Sequence, residues 1–223
     1  MSVKKPVSVE LQQADKVGEA ADRPYLSLYR LRLRTHYNDG SCSASYPYDA
    51  VLRKWLDAVV VVLTAELDGE VHILLRTCLR PPLLIRHMTY IPTEDTAPSA
   101  LLRELPAGLL EPGDEGHEGI LRRARAETLE EAGYDLPLAA FSLLNGAPWV
   151  TPGVLPERIW YARAHVVDAA DCQEPPGDGS LLEAHAQTQW VPLGAALEMC
   201  DRGEIDDMKT ELGIRRLARL QGL

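Results

Sequence analysis

The stretch ELPAGLLEPGDEGHEGILRRARAETLEEAGY, running from Glu104 to Tyr134, decides how this chain is read. Pro106, Gly108, Pro112 and Gly113 break regular structure, whereas Ile120 to Ala132 is rich in the helix formers Ala, Leu, Arg and Glu, and Gly133 supplies a stop. The stretch predicts a loop, then a helix, then a cap.

Three carboxylates fall on one side of that helix. At about 100° per residue, Glu127 and Glu131 lie one turn apart on the same face, with Glu130 offset by about 60°. Like charges at this spacing repel, so either arginines or a bound cation must offset them. A cluster of oxygen ligands suits the hard ions Mg²⁺ or Mn²⁺ and does not suit zinc. The alternative is a solvated face on which Arg122, Arg123 and Arg125 partner the acids.

Together these residues resemble the signature of the Nudix hydrolases, G-x5-E-x7-R-E-U-x-E-E-x-G-U with U aliphatic. Counting back from Gly133, Glu131, Glu130 and Glu127 fall in register, and Glu118 lies nine residues before Glu127. Gly108, in the phrase Glu-Leu-Pro-Ala-Gly, resembles the opening glycine, and that phrase is typical of the branch acting on ADP-ribose and nucleotide sugars. The chain departs from the pattern twice. Gly108 to Glu127 spans nineteen positions against fifteen in the motif, so Asp114 keeps the spacing from the glycine and Glu118 keeps the spacing from the helix. Four residues approximate one helical turn, so the insertion either lengthens the helix start or enlarges the loop without rotating the glutamate face. Ala126 stands where the motif has arginine, and Arg122 or Arg123, each one turn from this face, is the expected substitute.

Outside this stretch, composition narrows the function classes. The 223 residues can bury a real core and suit one domain with an extension. Acidic residues outnumber basic ones 33 to 23, for a formal charge of -10, the wrong sign for gripping a nucleic-acid backbone. No segment has the length and apolarity of a membrane span. Cys42, Cys78, Cys172 and Cys200 are scattered without a C-x-x-C pair, and the N-terminal residues lack the apolar run expected of a signal peptide. The expectation is a cytoplasmic protein with four buried or half-buried free thiols.

Residues 1–23 read as a frayed lead with at most one short helix. Tyr25 to Tyr37 alternates apolar and polar, Asn38-Asp39-Gly40 turns the chain, and Ser41 to Leu52 returns as the second strand of a hairpin. Ala58 to Ala65 and Val71 to Arg76 flank Asp68-Gly69 as two core strands. Leu83 to Leu102, interrupted by Pro92 and Pro98, reads as a connecting loop with short strand pieces. Past the acidic helix, Phe141 to Leu144 is apolar and Arg158 to Val167 is a strand. Asp168 to His185 is a loop, Gln187 to Pro192 a last strand and Leu193 to Asp201 a helix.

The Nudix resemblance covers about Leu52 to Leu217. It implies an α/β/α sandwich with a mixed sheet over residues 57–223, preceded by an antiparallel β arm over residues 1–56 that serves dimerisation. It implies a metal site formed by Glu127, Glu130, Glu131 and the backbone carbonyl of Ala107, with Glu130 also orienting water. The catalytic base would be Glu183, with Asp178 and Glu174 as rivals. Arg80, Glu104, Gly108 and Glu157 would lie at the substrate, with Arg80 on phosphate and Glu157, after Thr151-Pro152-Gly153, near metal or the distal sugar. The bland readings are a surface arginine for Arg80, and for Glu157 a strand-edge pair with Arg158 or Arg163. The closing phrase Gly203-Glu204-Ile205-Asp206-Asp207-Met208-Lys209-Thr210 also resembles the family's, before a final helix. The implied activity is Mg²⁺- or Mn²⁺-dependent hydrolysis of a nucleoside diphosphate linked to another moiety, first of all ADP-ribose to AMP and ribose 5-phosphate. The rivals are a UDP- or GDP-sugar pyrophosphatase and a Nudix-like binding or regulatory module. A small-molecule nucleotide and a second copy of the chain, with neither nucleic acid nor membrane, are the expected partners.

Overall fold

The computed structural model describes residues 3–17, 25–88, 90, 100–144, 146–176 and 186–223. The chain divides into two compact units, Met1–Leu56 with Trp149–Arg158, and Asp57–Pro148 with Ile159–Leu223.

In the first unit, β1 (Pro6–Val17), β2 (Leu26–Tyr37) and β3 (Tyr46–Arg53) form an antiparallel sheet in the order β1-β2-β3. The hairpin of β2 and β3 follows the expected turn. β1 does not follow expectation: a frayed lead is replaced by a twelve-residue strand paired with β2 along its length. Its alternation of Val7, Val9 and Leu11 with Ser8, Glu10 and Gln12 is the strand pattern that accounts for this. Trp149–Arg158, assigned from sequence to the catalytic domain, belongs with this arm. Val51 N–H donates to Val154 O at 2.9 Å and the Tyr48 hydroxyl to Gly153 O at 2.7 Å.

The second unit is built on β4 (Ala58–Leu67) and β5 (Glu70–Leu79), joined at Asp68-Gly69, where both residues take left-handed backbone angles. A 3₁₀ segment over Pro81–Met88 follows. β6 (Leu101–Glu104) and β7 (Ala107–Leu109) lie within and after the expected loop. Next come α1 (Gly116–Ala132) and β8 (Ser142–Leu144), then β9 (Trp149–Thr151), which belongs to the first unit, and β10 (Leu155–His165), which belongs to the second from Ile159 onward. The chain closes with β11 (Thr188–Pro192), α2 (Leu193–Asp201) and α3 (Met208–Gln221). Among the described residues the sheet order is β11-β5-β4-β10-β8, with β10 parallel to β4 and the other pairings along it antiparallel.

Burial on both faces explains the unbroken apolar run in β4, where Val59 to Leu63 are fully buried. Val59, Val61 and Leu63 pack with Ile120, Ala124 and Ala132 of α1. On the opposite face Gly213 of α3 lies against Val62, Leu105 and Tyr161. This is an α/β/α sandwich with a mixed sheet.

One departure from a simple hairpin positions the site. β4 and β5 pair only near their turn, from Thr64↔Ile73 to Leu67↔Glu70, and beyond it they take separate partners. β6 joins β5, with Glu104 opposite Arg76, while β7 joins β4, with Gly108 opposite Val59. Leu105 and Pro106 therefore cross between the two strands.

Candidate active site

α1 begins at Gly116, one turn ahead of the expected Ile120, so the insertion lengthens the helix. At its other end Gly133 has φ 76°, and its N–H returns to Leu129 O at 3.0 Å, closing the helix as predicted. Counting back from this cap, Glu127 and Glu131 are buried against the sheet side, and Glu130 is partly exposed.

The loop meets the helix at two atoms. A Cβ on residue 108 would overlap the carboxylate of Glu127, so only glycine allows that side chain to lie where it does. Next to it, Ala107 N–H donates to Glu131 Oε2 at 2.8 Å. Ala107, Gly108, Glu127 and Glu131 are thus brought together.

Arginines offset the repulsion among the glutamates. Arg123 Nη1 is 3.8 Å from Glu127 Oε1, and its Nε donates to Asp114 Oδ2 at 2.8 Å. Burial lowers the pKa of Arg123, but Asp114, with Glu111 and Glu127, outweighs that and raises it. Arg122 turns instead to exposed Glu118 and to Gly113 O, and Arg125 to Asp135 and Leu136 O. Asp114, which keeps the spacing from Gly108, therefore contacts the arginine beside the arc, while Glu118 forms an ordinary surface pair. Arg76 of β5 was not anticipated: Nη1 donates to Glu131 Oε1, and both side chains are 5% exposed. Its signal was an arginine within the apolar run Ile73 to Leu79, which had been read as the strand's end.

A second ionic cluster adjoins β6. Glu104, 1% exposed, accepts from Arg80 Nε at 2.6 Å and Nη2 at 2.7 Å, and also from Lys209 Nζ. Burial pushes the Glu104 pKa up, but Arg80 and Lys209 overcome this and hold it below its ordinary value. The pair with Glu104 raises Arg80, whose side chain is 46% exposed and so presents charge to solvent. Lys209 also reaches Asp207 at 2.9 Å, and Asp207 caps α3 through Thr210 N–H at 3.0 Å. The Gly-x-Ile-x-Asp-x-Lys-Thr phrase is therefore structural: it anchors α3 and fixes Glu104.

Glu157 pairs with Arg53 of β3 inside the arm unit. Glu183 and its rival Asp178 lie outside the described residues. Cys78 and Cys200 are buried, but Cys42 and Cys172 are exposed, which corrects the expectation of four sheltered thiols.

In kind, the donor set fits a hard divalent ion: neighbouring carboxylates on one helix with a backbone segment bonded against them. Among the described residues no three His, Cys, Asp or Glu side chains converge on one point, and arginines hold two of the carboxylates. An ion must therefore draw the glutamates away from their present partners.

No protein-family model matches the sequence, nor does any curated protein. Among solved structures the chain is similar to one titled an ADP compounds hydrolase, with a TM-score of 0.61 over 98% of this chain and 97% of that one, at 12% identity. At that identity the likeness speaks for architecture alone, and the architecture is an α/β/α sandwich preceded by an antiparallel β arm.

Proposed function

We propose that the chain is a divalent-metal-dependent pyrophosphohydrolase acting on a nucleoside diphosphate linked to another moiety, with ADP-ribose as the first substrate to test. The observation that supports this is the junction of loop and helix, where Gly108 and Ala107 sit directly against Glu127 and Glu131 in a Nudix-like fold.

Glu127, Glu131 and the Ala107 carbonyl would hold Mg²⁺ or Mn²⁺, with Glu130 adding a ligand or orienting water. When bound, the ion would neutralise pyrophosphate charge and make a water nucleophilic. Arg80, steadied by Glu104 and half exposed, supplies a fixed guanidinium for a phosphate oxygen. Glu183 is the proposed base that takes the water's proton.

Two further proposals accompany this reading. The arm mates with a second copy of the chain, since β1 is an edge strand with Val7, Val9 and Leu11 exposed. A cytoplasmic location accords with four free cysteines, and among the described residues no helix is long and apolar enough to cross a membrane.

The test is a panel of ADP-ribose, UDP- and GDP-sugars and dinucleotides with Mg²⁺ or Mn²⁺, assayed for phosphomonoester release. Turnover that needs metal and falls by orders of magnitude in Glu130→Gln supports the reading. Hydrolysis of UDP- or GDP-sugars in preference to ADP-ribose would change the substrate. Binding without hydrolysis of any member would overturn the enzyme reading in favour of a binding module.

A further inference from the structure

In β5, Ile73, Leu74 and Leu75 are at most 2% exposed and Cys78 is 6% exposed, yet Arg76 among them is also buried, at 5%. A guanidinium keeps its proton under all ordinary conditions, so burying it requires a lasting anionic partner. Glu131 is such a partner, and its other oxygen accepts from Ala107 N–H. The charge comes from the sheet, while the helix position where the motif carries arginine is Ala126.

We propose that Arg76 is a resident counter-ion of the acidic arc and competes with the divalent ion for Glu131. The inference rests on reading the arc as the metal site, and it adds a control on that site. With Arg76 in place Glu131 is positioned and its charge offset before any ion arrives. An incoming ion meets a carboxylate already engaged, so its apparent affinity is reduced by the fraction of time Glu131 is held by the guanidinium. Arg123 does not act in the same way, because at 3.8 Å from Glu127 it is committed chiefly to Asp114.

The test is Mn²⁺ titration of the full chain, followed by electron paramagnetic resonance and calorimetry, in wild type, Arg76→Met, Arg76→Gln and Glu131→Gln. Arg76→Gln keeps a donor for Glu131 without the charge, and so remains informative if the Met variant fails to fold. Removing the positive charge should tighten Mn²⁺ binding by at least about tenfold in either variant. Mn²⁺ should also raise the melting temperature of these variants more than that of wild type. A purely structural role for Arg76 predicts lower stability with unchanged or weaker ion binding. Equal affinity in wild type and the Arg76 variants, lost in Glu131→Gln, would overturn the competition and leave the metal reading standing. No Mn²⁺ binding in any of the proteins would overturn both.

Discussion

Replacing Glu131 by Gln separates a helix considered alone from the helix in its place. On the isolated helix the change relieves an i,i+4 repulsion with Glu127, worth roughly 0.2–0.5 kcal/mol, and should stabilise the metal-free protein slightly. In the fold the sign reverses. Glu131 and Arg76 are each 5% exposed, so the substitution takes from a buried guanidinium the charge of a carboxylate it donates to. Removing one partner of a buried pair costs about 3–5 kcal/mol, and the glutamine carbonyl still accepts a hydrogen bond, which places the loss near the lower end, about 3 kcal/mol. For a chain of this length that corresponds to a fall in Tm of roughly 6–12 °C. Urea unfolding in the presence of a chelator, followed by circular dichroism, measures it. A Glu131→Gln midpoint equal to or above wild type would refute the argument, because Arg76 would then not depend on that carboxylate.

Gly108→Ala should displace the flexible Glu127 carboxylate more than the backbone, lowering turnover by orders of magnitude while thermal melting changes by only a few degrees. Glu104 has its pKa depressed in the folded state, so its contribution is complete above the ordinary value of 4.5 and is lost as pH falls through the lower folded value. Glu104→Gln should therefore lose stability near neutrality and show a shallower decline on acidification, read from melting temperatures between pH 7 and pH 3. Ellman titration of the native protein should find Cys42 and Cys172 fast, and Cys78, whose thiol burial pushes up to about 11, silent until denaturant is added. Deleting residues through Leu56 removes the partners of Trp149–Arg158, including Arg53 for Glu157, and should yield monomers or aggregates with weaker substrate binding. Light scattering with a kinetic assay checks this, and a well-folded monomer with unchanged KM would refute the arm's role.

The glutamate arc, the helix cap and the core strands were legible in the sequence because each is local: period, spacing and a stop signal all lie within one segment. What escaped was non-local. Arg76 and Glu131 are 55 residues apart, and only the separation of β4 from β5 brings them together. Lys209 meets Glu104 across 105 residues for a similar reason. β7 was missed because Pro106 and Gly108 signal a break, whereas here Pro106 lies in a short crossing and Gly108 in the paired segment that follows it. β1 carried a legible alternation, and the charged residues around it obscured the pattern. Arg123 could be narrowed to one of two candidates from sequence, but choosing it over Arg122 required the position of Asp114.

The added turn at the start of α1 has a consequence for how such chains can vary in length. The azimuth of every glutamate is set from the Gly133 end, where the helix is clamped, and α1 simply grows outward from there. A change of four residues ahead of Glu118 rotates the entering chain by about 400°, which returns the loop to nearly the same bearing. A change of one or two residues would swing Asp114 by about 100° or 200° away from Arg123, even with every glutamate still in place. Length variation in this segment is thus quantised in helical turns, and the loop from Glu111 to Glu115 is the place where the remainder must be absorbed.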